Sequence, residues 1–253
     1  MPSVKGTSSN DQFNIATKYF VDYENGLIGM GGFADVYIAV DKLTGQEVAL
    51  KRIDKSLTDH NTFLKEMQAL LQVKAYKGHP QISGLIDYFE EENHYIVILE
   101  LVKGGEMFDH LVELGAYSEK DASRFLREVA SALAFIHGIG LVHADLKPEH
   151  LMLSNTNSSD AVIKLIDFGG AEVLNSIQID SDFIINSLSE KEISLYKKCQ
   201  EIKFSEAIIT PAYVSREVLT GEPRTMATDM FALGIIVYIM LTGGKILKSN
   251  SIF

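Results

Sequence analysis

The segment 142–153, which reads VHADLKPEHLML, constrains this chain more than any other stretch. It places one carboxylate, Asp145, two positions after a histidine and two positions before Lys147. Pro148 favours a turn directly after these charges, and the apolar run 151–153 follows at once. The pattern predicts a polar loop that leads into an apolar segment and holds a carboxylate beside an ammonium group.

The composition narrows the class of protein. With 253 residues, of which 46% are hydrophobic and 23% charged, the chain is typical of a soluble globular protein with one large domain or two lobes. The formal net charge of −11 argues against nucleic-acid binding, which needs a positive surface, and is compatible with cationic peptide partners. Cys199 is the only cysteine, so an intrachain disulfide is impossible and we expect a reducing compartment.

The sequence shows no pattern of a membrane protein. It lacks a signal peptide, and its most apolar stretch, 230–241, is shorter than the roughly 20 residues that cross a bilayer. Pro2 follows Met1, whereas myristoylation requires Gly at that position. We therefore expect no membrane contact and a cytoplasmic location, with the nucleus as an alternative.

The segment 142–153 resembles the catalytic loop of protein kinases, which that family writes as HRDLKPEN. A loop that transfers a phosphoryl group needs a carboxylate that orients a hydroxyl and accepts its proton, a nearby cation, and a ligand for a metal ion. The resemblance gives the first role to Asp145 and the second to Lys147. His150 stands where the family has Asn, and is therefore the candidate for the third role.

A glycine-rich segment near the start, 27–37, reads LIGMGGFADVY. Glycines let a backbone turn tightly and approach phosphate oxygens, although taken alone they indicate no more than a hairpin tip. The segment resembles the kinase pattern GxGxxGxV. Gly29, Gly31 and Val36 match that pattern, and Ala34 replaces its third glycine.

Two further residues acquire a role through the resemblance. Residues 47–53 alternate as a strand and place Lys51 between apolar neighbours, where a lone lysine is usually solvated. Residues 59–76 have the apolar spacing of a helix, and Glu66 beside that face would ordinarily be a surface charge. In kinases the corresponding lysine binds nucleotide phosphates and pairs with the helix-C glutamate. The resemblance therefore adds Lys51 and Glu66 to the catalytic residues.

The segment after the predicted strands 82–89 and 94–99 resembles the hinge between kinase lobes. The resemblance implies that backbone groups of Glu100 and Val102 bind adenine and that Leu99 lies at the back of the pocket. Glu106 would face the ribose or a basic substrate residue. The wording GGEMFDHL is closest to the calcium/calmodulin-dependent kinase group. The implied ATP-binding residues are Ile28, Gly29, Gly31, Val36, Ala49, Lys51, Leu99, Glu100, Val102, Glu106, Glu149 and Met152.

The metal site is predicted downstream of the catalytic loop. A helix that starts with a capping box at Ser118 precedes the loop, and a short strand, 162–166, follows it. That strand ends in Asp167-Phe168-Gly169, which alone could be an ordinary turn but here resembles the DFG motif that binds magnesium. Asp167 is the predicted Mg²⁺ ligand. His150 offers a softer nitrogen that favours Mn²⁺ more than the family's Asn does.

Several departures from the family pattern bear on regulation. Ala144 replaces the Arg that in kinases binds an activation-loop phosphate, which argues against control by loop phosphorylation. The segment from Asp167 to Glu217 is longer than usual by about 20 residues, well beyond common loop lengths. Within it, a capping box at Ser189 predicts a helix that carries Ile193, Tyr196 and Cys199. Thr210 begins a TPxY segment that matches the peptide-docking region of kinases.

The C-terminal part resembles the start of kinase helix F from Thr228 onward, with Asp229 expected to bond to the catalytic-loop backbone. Only nine residues follow Gly244, so we expect the last helices of the larger lobe to be lacking. The apolar helix at 230–241 would then lose much of its cover, which is compatible with a fragment, with an incomplete gene product, or with a partner that supplies the missing surface.

The resemblance covers residues 19–244 and implies an α+β, bilobal protein-kinase fold. The predicted parts are a flexible leader (1–18), a small antiparallel lobe with helix C (19–100), and a mainly helical lobe (101–253) with a long activation segment (170–217). The implied function is ATP- and Mg²⁺-dependent phosphorylation of protein Ser or Thr hydroxyls, since tyrosine kinases generally lack a lysine at Lys147. Basic residues flanking the target are expected. The alternative is a pseudokinase that binds nucleotide or a partner with little catalysis.

Overall fold

The computed structural model describes residues 14–156, 160–174, 177, 179–202 and 210–243. Most of the predicted leader, residues 1–13, lies outside this range. The remainder forms a short helix, α1 (Ile15–Lys18), in which Asn14 Oδ1 accepts a hydrogen bond from the Ala16 amide at 2.9 Å and Ile15 is buried. Regular structure therefore begins before residue 19, where the predicted domain begins.

The first of two compact units contains Met1–His60 and Leu85–Leu101. Its strands are β1 (Tyr19–Val21), β2 (Leu27–Met30), β3 (Ala34–Asp41), β4 (Glu47–Asp54), β5 (Leu85–Glu90) and β6 (His94–Glu100). They form an antiparallel sheet in the order β1-β3-β4-β6-β5, and β2 pairs with β3. The strands have the period-two pattern of β structure, and one face packs into a core that includes Tyr19, Ala39, Leu50, Ile96 and Ile98.

The second unit contains Asn61–Gly84 and Val102–Phe253 and is mainly helical. Its helices are α2 (His60–Ala75, whose first residue groups with the sheet), α3 (Met107–Leu114), α4 (Glu119–Gly138), α5 (Ser181–Ser187), α6 (Glu190–Cys199), α7 (Arg216–Leu219) and α8 (Met226–Thr242). Four short strands accompany them: β7 (Leu141–Val142), β8 (Leu151–Leu153), β9 (Ile163–Leu165) and β10 (Glu172–Val173). β8 pairs with β9, and β7 pairs with β10. The predicted α+β class is confirmed.

Helix α2 differs from its predicted grouping with the sheet. Its C-terminal half and the turn after it bond to residues of the second unit. Gln72 Nε2 donates to the Ile139 carbonyl, and the Ser83 amide donates to the Leu165 carbonyl at 3.0 Å. The strand predicted over 82–89 begins only at Leu85. Ile82 does not belong to it because Ile82 forms an isolated bridge with Leu165 of the second unit.

Helices α4 and α8 carry much of the core of the second unit. The predicted Ser118 cap is confirmed, since Ser118 Oγ accepts a hydrogen bond from the Asp121 amide at 3.1 Å. Phe125 and Ile136 of α4 are fully buried. The two sides of α8 differ in exposure: Ile236 is 1% exposed, whereas Phe231 on the other side of the helix is 47% exposed. Cover of that exposed side by a partner stays a prediction. In the part of the chain that the structure describes, no helix is long and apolar enough to span a membrane.

The long segment after Asp167 contains two helices. The helix predicted to start at Ser189 is confirmed as α6, in which Tyr196 and Cys199 are buried. α5 was not predicted, although Asp180 is an ordinary helix cap whose Oδ1 accepts from the Phe183 amide at 2.9 Å.

Candidate active site

One buried carboxylate, Asp229, holds the catalytic-loop backbone. Its Oδ2 accepts hydrogen bonds from the His143 amide at 2.9 Å and from His137 Nε2 at 2.8 Å. Its Oδ1 accepts from the Ala144 amide at 2.8 Å. A carboxylate that is 0% exposed requires such partners, because an unpaired buried charge is very costly. The predicted bond between Asp229 and the loop backbone is confirmed.

The backbone is strained at one non-glycine residue of the catalytic loop and at one of the DFG-like segment. Ala144 has φ 63° and Asp167 has φ 57°, in the left-handed region that costs an L-residue about 1 kcal/mol. Gly170 also approaches the loop closely, since a Cβ there would lie 2.7 Å from the Asp145 Cβ. Strained backbone next to the predicted catalytic residue Asp145 and at the predicted metal ligand Asp167 is typical of functional sites, where surrounding contacts hold it in place.

The structure brings Asp145, Lys147 and Thr210 together. Lys147 Nζ donates to Asp145 Oδ2 at 2.9 Å and to Thr210 Oγ1 at 3.4 Å. Thr210 Oγ1 donates to Asp145 Oδ1 at 2.5 Å. Asp145 thus has its charge balanced by one ammonium and its orientation set by one hydroxyl. The sequence assigns Thr210 only to a docking segment, because no spacing rule links residues that lie 65 positions apart.

His150 connects the two carboxylate-bearing loops. Its Nδ1 donates to the Asp145 backbone carbonyl at 2.9 Å. Burial lowers the pKa of His150 to about 4, so the imidazole is neutral near pH 7 and Nε2 keeps its lone pair. Nε2 lies 3.5 Å from Asp167 Oδ2. The ring therefore offers a donor on one side and an acceptor on the other, as the family's carboxamide side chain does.

The Asp167–His150 pair fits a divalent cation. Two groups that both carry lone pairs face each other at 3.5 Å, and a cation between them would remove their repulsion. Among the described residues no cluster of three or more His, Cys, Asp or Glu side chains could hold a metal by itself. Oxygen atoms of a nucleotide and water would have to complete the coordination, as Mg²⁺ commonly requires. The two predicted metal ligands, Asp167 and His150, therefore lie at the same site.

A group of carboxylates lies close to this loop. Burial, followed by the charges of Asp109 and Glu149, raises the pKa of Glu106 above its ordinary value. Glu106 also forms an isolated bridge with Met152. The structure therefore brings together three predicted nucleotide-binding residues of the second unit, Glu106, Glu149 and Met152. Val102 in the same unit is buried.

The remaining predicted nucleotide-binding residues lie in the sheet unit. Gly29 pairs with Val36, Val36 pairs with Lys51, and Ala49 pairs with Leu99, so adjacent strands carry them. Glu100 ends β6 and pairs with Val48. Ile28 in β2 is half exposed. The Gly31 amide donates a hydrogen bond to the Ala34 carbonyl at 2.8 Å.

Lys51 and Glu66 lie in different units. Glu66 is 5% exposed, which excludes the ordinary surface role of a helix glutamate. Their ion pair stays a prediction, as do the roles of the nucleotide-binding residues.

Arg224 is a feature that sequence reasoning missed. Its guanidinium is buried, and Nη1 donates to the Gly170 carbonyl and to Glu172 Oε1, both at 3.4 Å. It lines the same small pocket as Ala144, Asp145 and Thr210. A cation thus lies beside the position at which the family's Arg is replaced by Ala144.

Comparisons with known proteins agree with this geometry. A probable myosin light chain kinase of Dictyostelium discoideum is 34% identical over 219 residues, which are 85% of this chain and 49% of that relative. Myosin light chain kinase A of the same organism is 32% identical over 216 residues (85% and 64%), and the serine/threonine-protein kinase DCLK2 of Rattus norvegicus is 33% identical over 250 residues (98% and 28%). The chain therefore spans less than two thirds of each of these relatives.

The family model described as protein kinase domain matches residues 23–252, nearly the whole chain. Together with the catalytic loop around Asp145 and the sheet and helical units that carry the predicted residues, this match shows that the chain belongs to the protein kinase family.

Proposed function

We propose that this chain is an ATP-dependent protein serine/threonine kinase. The observation that carries the proposal is the arrangement of Asp145 with Lys147 and Thr210. His150 contacts both Asp145 and Asp167 and so connects this group to the predicted metal ligand. A buried, oriented carboxylate beside an ammonium has no evident structural use on a strained loop, whereas phosphoryl transfer needs both.

Each residue of the loop has a distinct chemical task in this proposal. Asp145 Oδ1 accepts one hydrogen bond from Thr210, and its second lone pair can accept the proton of a substrate Ser or Thr hydroxyl. Lys147 places positive charge where the transferred phosphoryl group becomes more negative. Asp167 and His150 would hold Mg²⁺ of Mg-ATP, which supplies the phosphoryl group and neutralises its charge.

The competing proposal is a pseudokinase, a non-catalytic module that binds a nucleotide or a partner. His150 and the expected lack of the last helices suggested it, whereas the presence of Lys51, Glu66, Asp145 and Asp167 argued against it. The contacts of His150 do not favour it, because its Nδ1 and Nε2 provide the donor and the acceptor that the loop requires. The two functions differ in phosphate transfer and can be separated by experiment.

The deciding experiment measures phosphate transfer from labelled ATP to a basic peptide that contains one Ser. We expect transfer by the wild type and a loss of about 10²- to 10⁴-fold in Asp145→Asn, since a positioned general base contributes that much. Asp182→Asn, at an exposed position of α5, is the matched control and should keep full activity. No transfer by folded wild type would support the pseudokinase.

Nucleotide binding is tested separately by melting. Mg-ATP at 100 times its Kd should stabilise the folded chain by about 2.7 kcal/mol. Lys51→Met should abolish most of that gain, and Lys120→Met, at an exposed position of α4, should not. An unchanged melting curve of well-folded protein at millimolar Mg-ATP would contradict nucleotide binding in both functions.

We also propose that the preferred substrates carry Arg or Lys before the target residue. The support is the group of Glu106, Asp109 and Glu149: burial and, after it, repulsion by the charges of Asp109 and Glu149 raise the pKa of Glu106. A basic side chain would relieve that repulsion. Peptides with Arg before the Ser should have a lower KM than peptides with Glu there, and Glu149→Gln should reduce the difference. A preference for acidic or proline-directed peptides would contradict this part.

A further inference from the structure

The insertion in the activation segment is a folded element. We refer to α5 and α6 (residues 181–199) as the helical insert. Ile184 of α5 and Tyr196 and Cys199 of α6 are at most 2% exposed, and Leu195 is 8% exposed. Side chains this buried require a partner surface, because two helices of 7 and 10 residues cannot bury their apolar sides by themselves.

Part of that partner surface is the C-terminal end of α2. Lys74 Nζ lies 2.6 Å from Glu192 Oε1, and the Lys74 and Glu192 side chains are 33% and 11% exposed. The rings of Tyr76 and Phe183 lie 4.8 Å apart between centroids with an interplanar angle of 40°. One ion pair and one aromatic pair thus join the helical insert to α2 and the turn after it.

Glu192 links the folding of α6 to this contact. Its Oε2 accepts hydrogen bonds from the Ser189 amide at 3.0 Å and from Ser189 Oγ at 2.7 Å, while Oε1 binds Lys74. Burial alone would raise the pKa of Glu192, but the hydrogen bonds from Lys74 and Ser189 outweigh it and the pKa is lowered. The carboxylate that starts α6 is therefore also the one that binds α2.

The same end of α2 is bound from the loop that precedes β7. Gln72 is 0% exposed, and its Nε2 donates to the Ile139 carbonyl. Glu66 lies eight residues before Lys74 on the same helix, which is about 12 Å at 1.5 Å per residue. A helix transmits a constraint at one end along its length, so contacts at Gln72, Lys74 and Tyr76 restrict the motion of Glu66.

We propose that the helical insert is a built-in brace of α2, and that Lys74, Glu192, Tyr76 and Phe183 are positioning residues that fix the helix carrying Glu66. The catalytic consequence rests on the proposed kinase function, in which the position of this helix controls activity. The brace uses side chains of the chain itself, so α2 is held without a phosphate group on the activation segment.

The test compares α2 in wild type and in Lys74→Met by amide hydrogen exchange. Lys74→Met breaks the ion pair but leaves the Ser189–Glu192 cap intact. We expect amides of α2 to exchange about tenfold faster, because a weakened local contact lowers the free energy of opening. Lys74→Arg keeps the cation and should restore slow exchange. Lys198→Met, at an exposed position of α6, is the matched control and should change nothing.

Kinetics give a second readout on the same variants. In Lys74→Met we expect kcat to fall several-fold with the KM for peptide unchanged, and Lys74→Arg should restore kcat. Unchanged exchange in Lys74→Met would overturn the brace whatever the activity. Faster exchange with unchanged kcat in an active enzyme would overturn the positioning role. An inactive wild type would contradict the proposed function, and the exchange result would still decide whether the insert fixes α2.

Phosphatase treatment supplies an independent arm. Because the brace needs no phosphate and Ala144 cannot bind one, kcat should survive complete dephosphorylation of Ser181, Ser187, Ser189 and Ser194. Loss of most activity after dephosphorylation would overturn the proposal that the insert holds α2 without a phosphate group.

Discussion

The catalytic loop and the helical insert are each held by a buried carboxylate of their own. The two carboxylates bind different groups. Asp229 binds backbone amides of a strained loop and is 0% exposed. Glu192 binds the start of its own helix and a lysine side chain, and is 8% exposed. The first therefore fixes backbone dihedrals that no local preference supports, whereas the second joins elements that form from ordinary helix signals. Removal of Asp229 and removal of Glu192 should therefore lower the free energy of unfolding by unequal amounts.

The largest expected effect is that of Asp229→Asn. One carboxylate oxygen becomes an amide donor that faces an N–H group, so buried donors lose their acceptor. We expect a loss of about 3 kcal/mol in the free energy of unfolding, measured by urea denaturation. Glu192→Gln is the matched substitution in the insert and should cost less. Equal costs would break the comparison between the two regions.

The next effect concerns Thr210, which connects the activation segment to the catalytic loop. Thr210→Val keeps the shape of the side chain and removes the hydroxyl that donates to Asp145. We expect kcat to fall about ten- to a hundredfold, since misplacement of a reacting group by about 1 Å can have that effect. Thr210→Ser restores the hydroxyl and should recover most of kcat. A variant without a hydroxyl that keeps full activity would show that Asp145 needs no such positioning.

A smaller effect is expected at the metal ligand. His150→Asn replaces a nitrogen ligand with a harder oxygen, which Mg²⁺ prefers. Mg²⁺-supported turnover should rise several-fold, and the advantage of Mn²⁺ over Mg²⁺ should shrink. Turnover with each metal is to be measured at matched folded fraction. An unchanged Mg²⁺/Mn²⁺ ratio would mean that His150 does not act through the metal.

The smallest effect is the pH dependence of the Glu192 contacts. The pKa of Glu192 is below its ordinary value of 4.5 in the folded chain, so its contribution to stability is complete above that value and is lost as the pH falls through the lowered pKa. Burial raises this pKa, and the hydrogen bonds from Lys74 and Ser189 outweigh that effect. At pH 7 the free energy of unfolding of wild type should exceed that of Glu192→Gln by about 1 kcal/mol. Urea denaturation from pH 7 to pH 3 should show this difference disappear, and a constant difference would contradict the assignment.

The catalytic loop was predictable because its chemistry restricts residue types at short spacing. Asp145, Lys147, His150 and Asp167 all lie in or near two short motifs, and the structure brings them together. The sheet strands and α2, α4 and α6 followed from periodicity and capping residues, which are local signals. The β5 boundary was missed because Ile82 pairs with a distant strand.

Thr210 and Arg224 could not be found in this way. Both act through contacts with residues more than 50 positions away, and neither belongs to a motif that sets such a distance. α5 was missed for a different reason, since its seven residues are too few to show a periodic pattern. The contact of the insert with α2 depends on tertiary packing alone.

The shared pocket of Ala144 and Arg224 has a consequence for how this chain could have diverged. The family's Arg at position 144 would bring a second guanidinium into the small pocket that Arg224 already lines. Two cations in one buried pocket repel each other, so Ala144→Arg should be harmful alone and tolerated only after Arg224 has been replaced by a neutral residue. The two positions are therefore expected to be epistatic, so that the effect of Ala144→Arg depends on the residue at position 224.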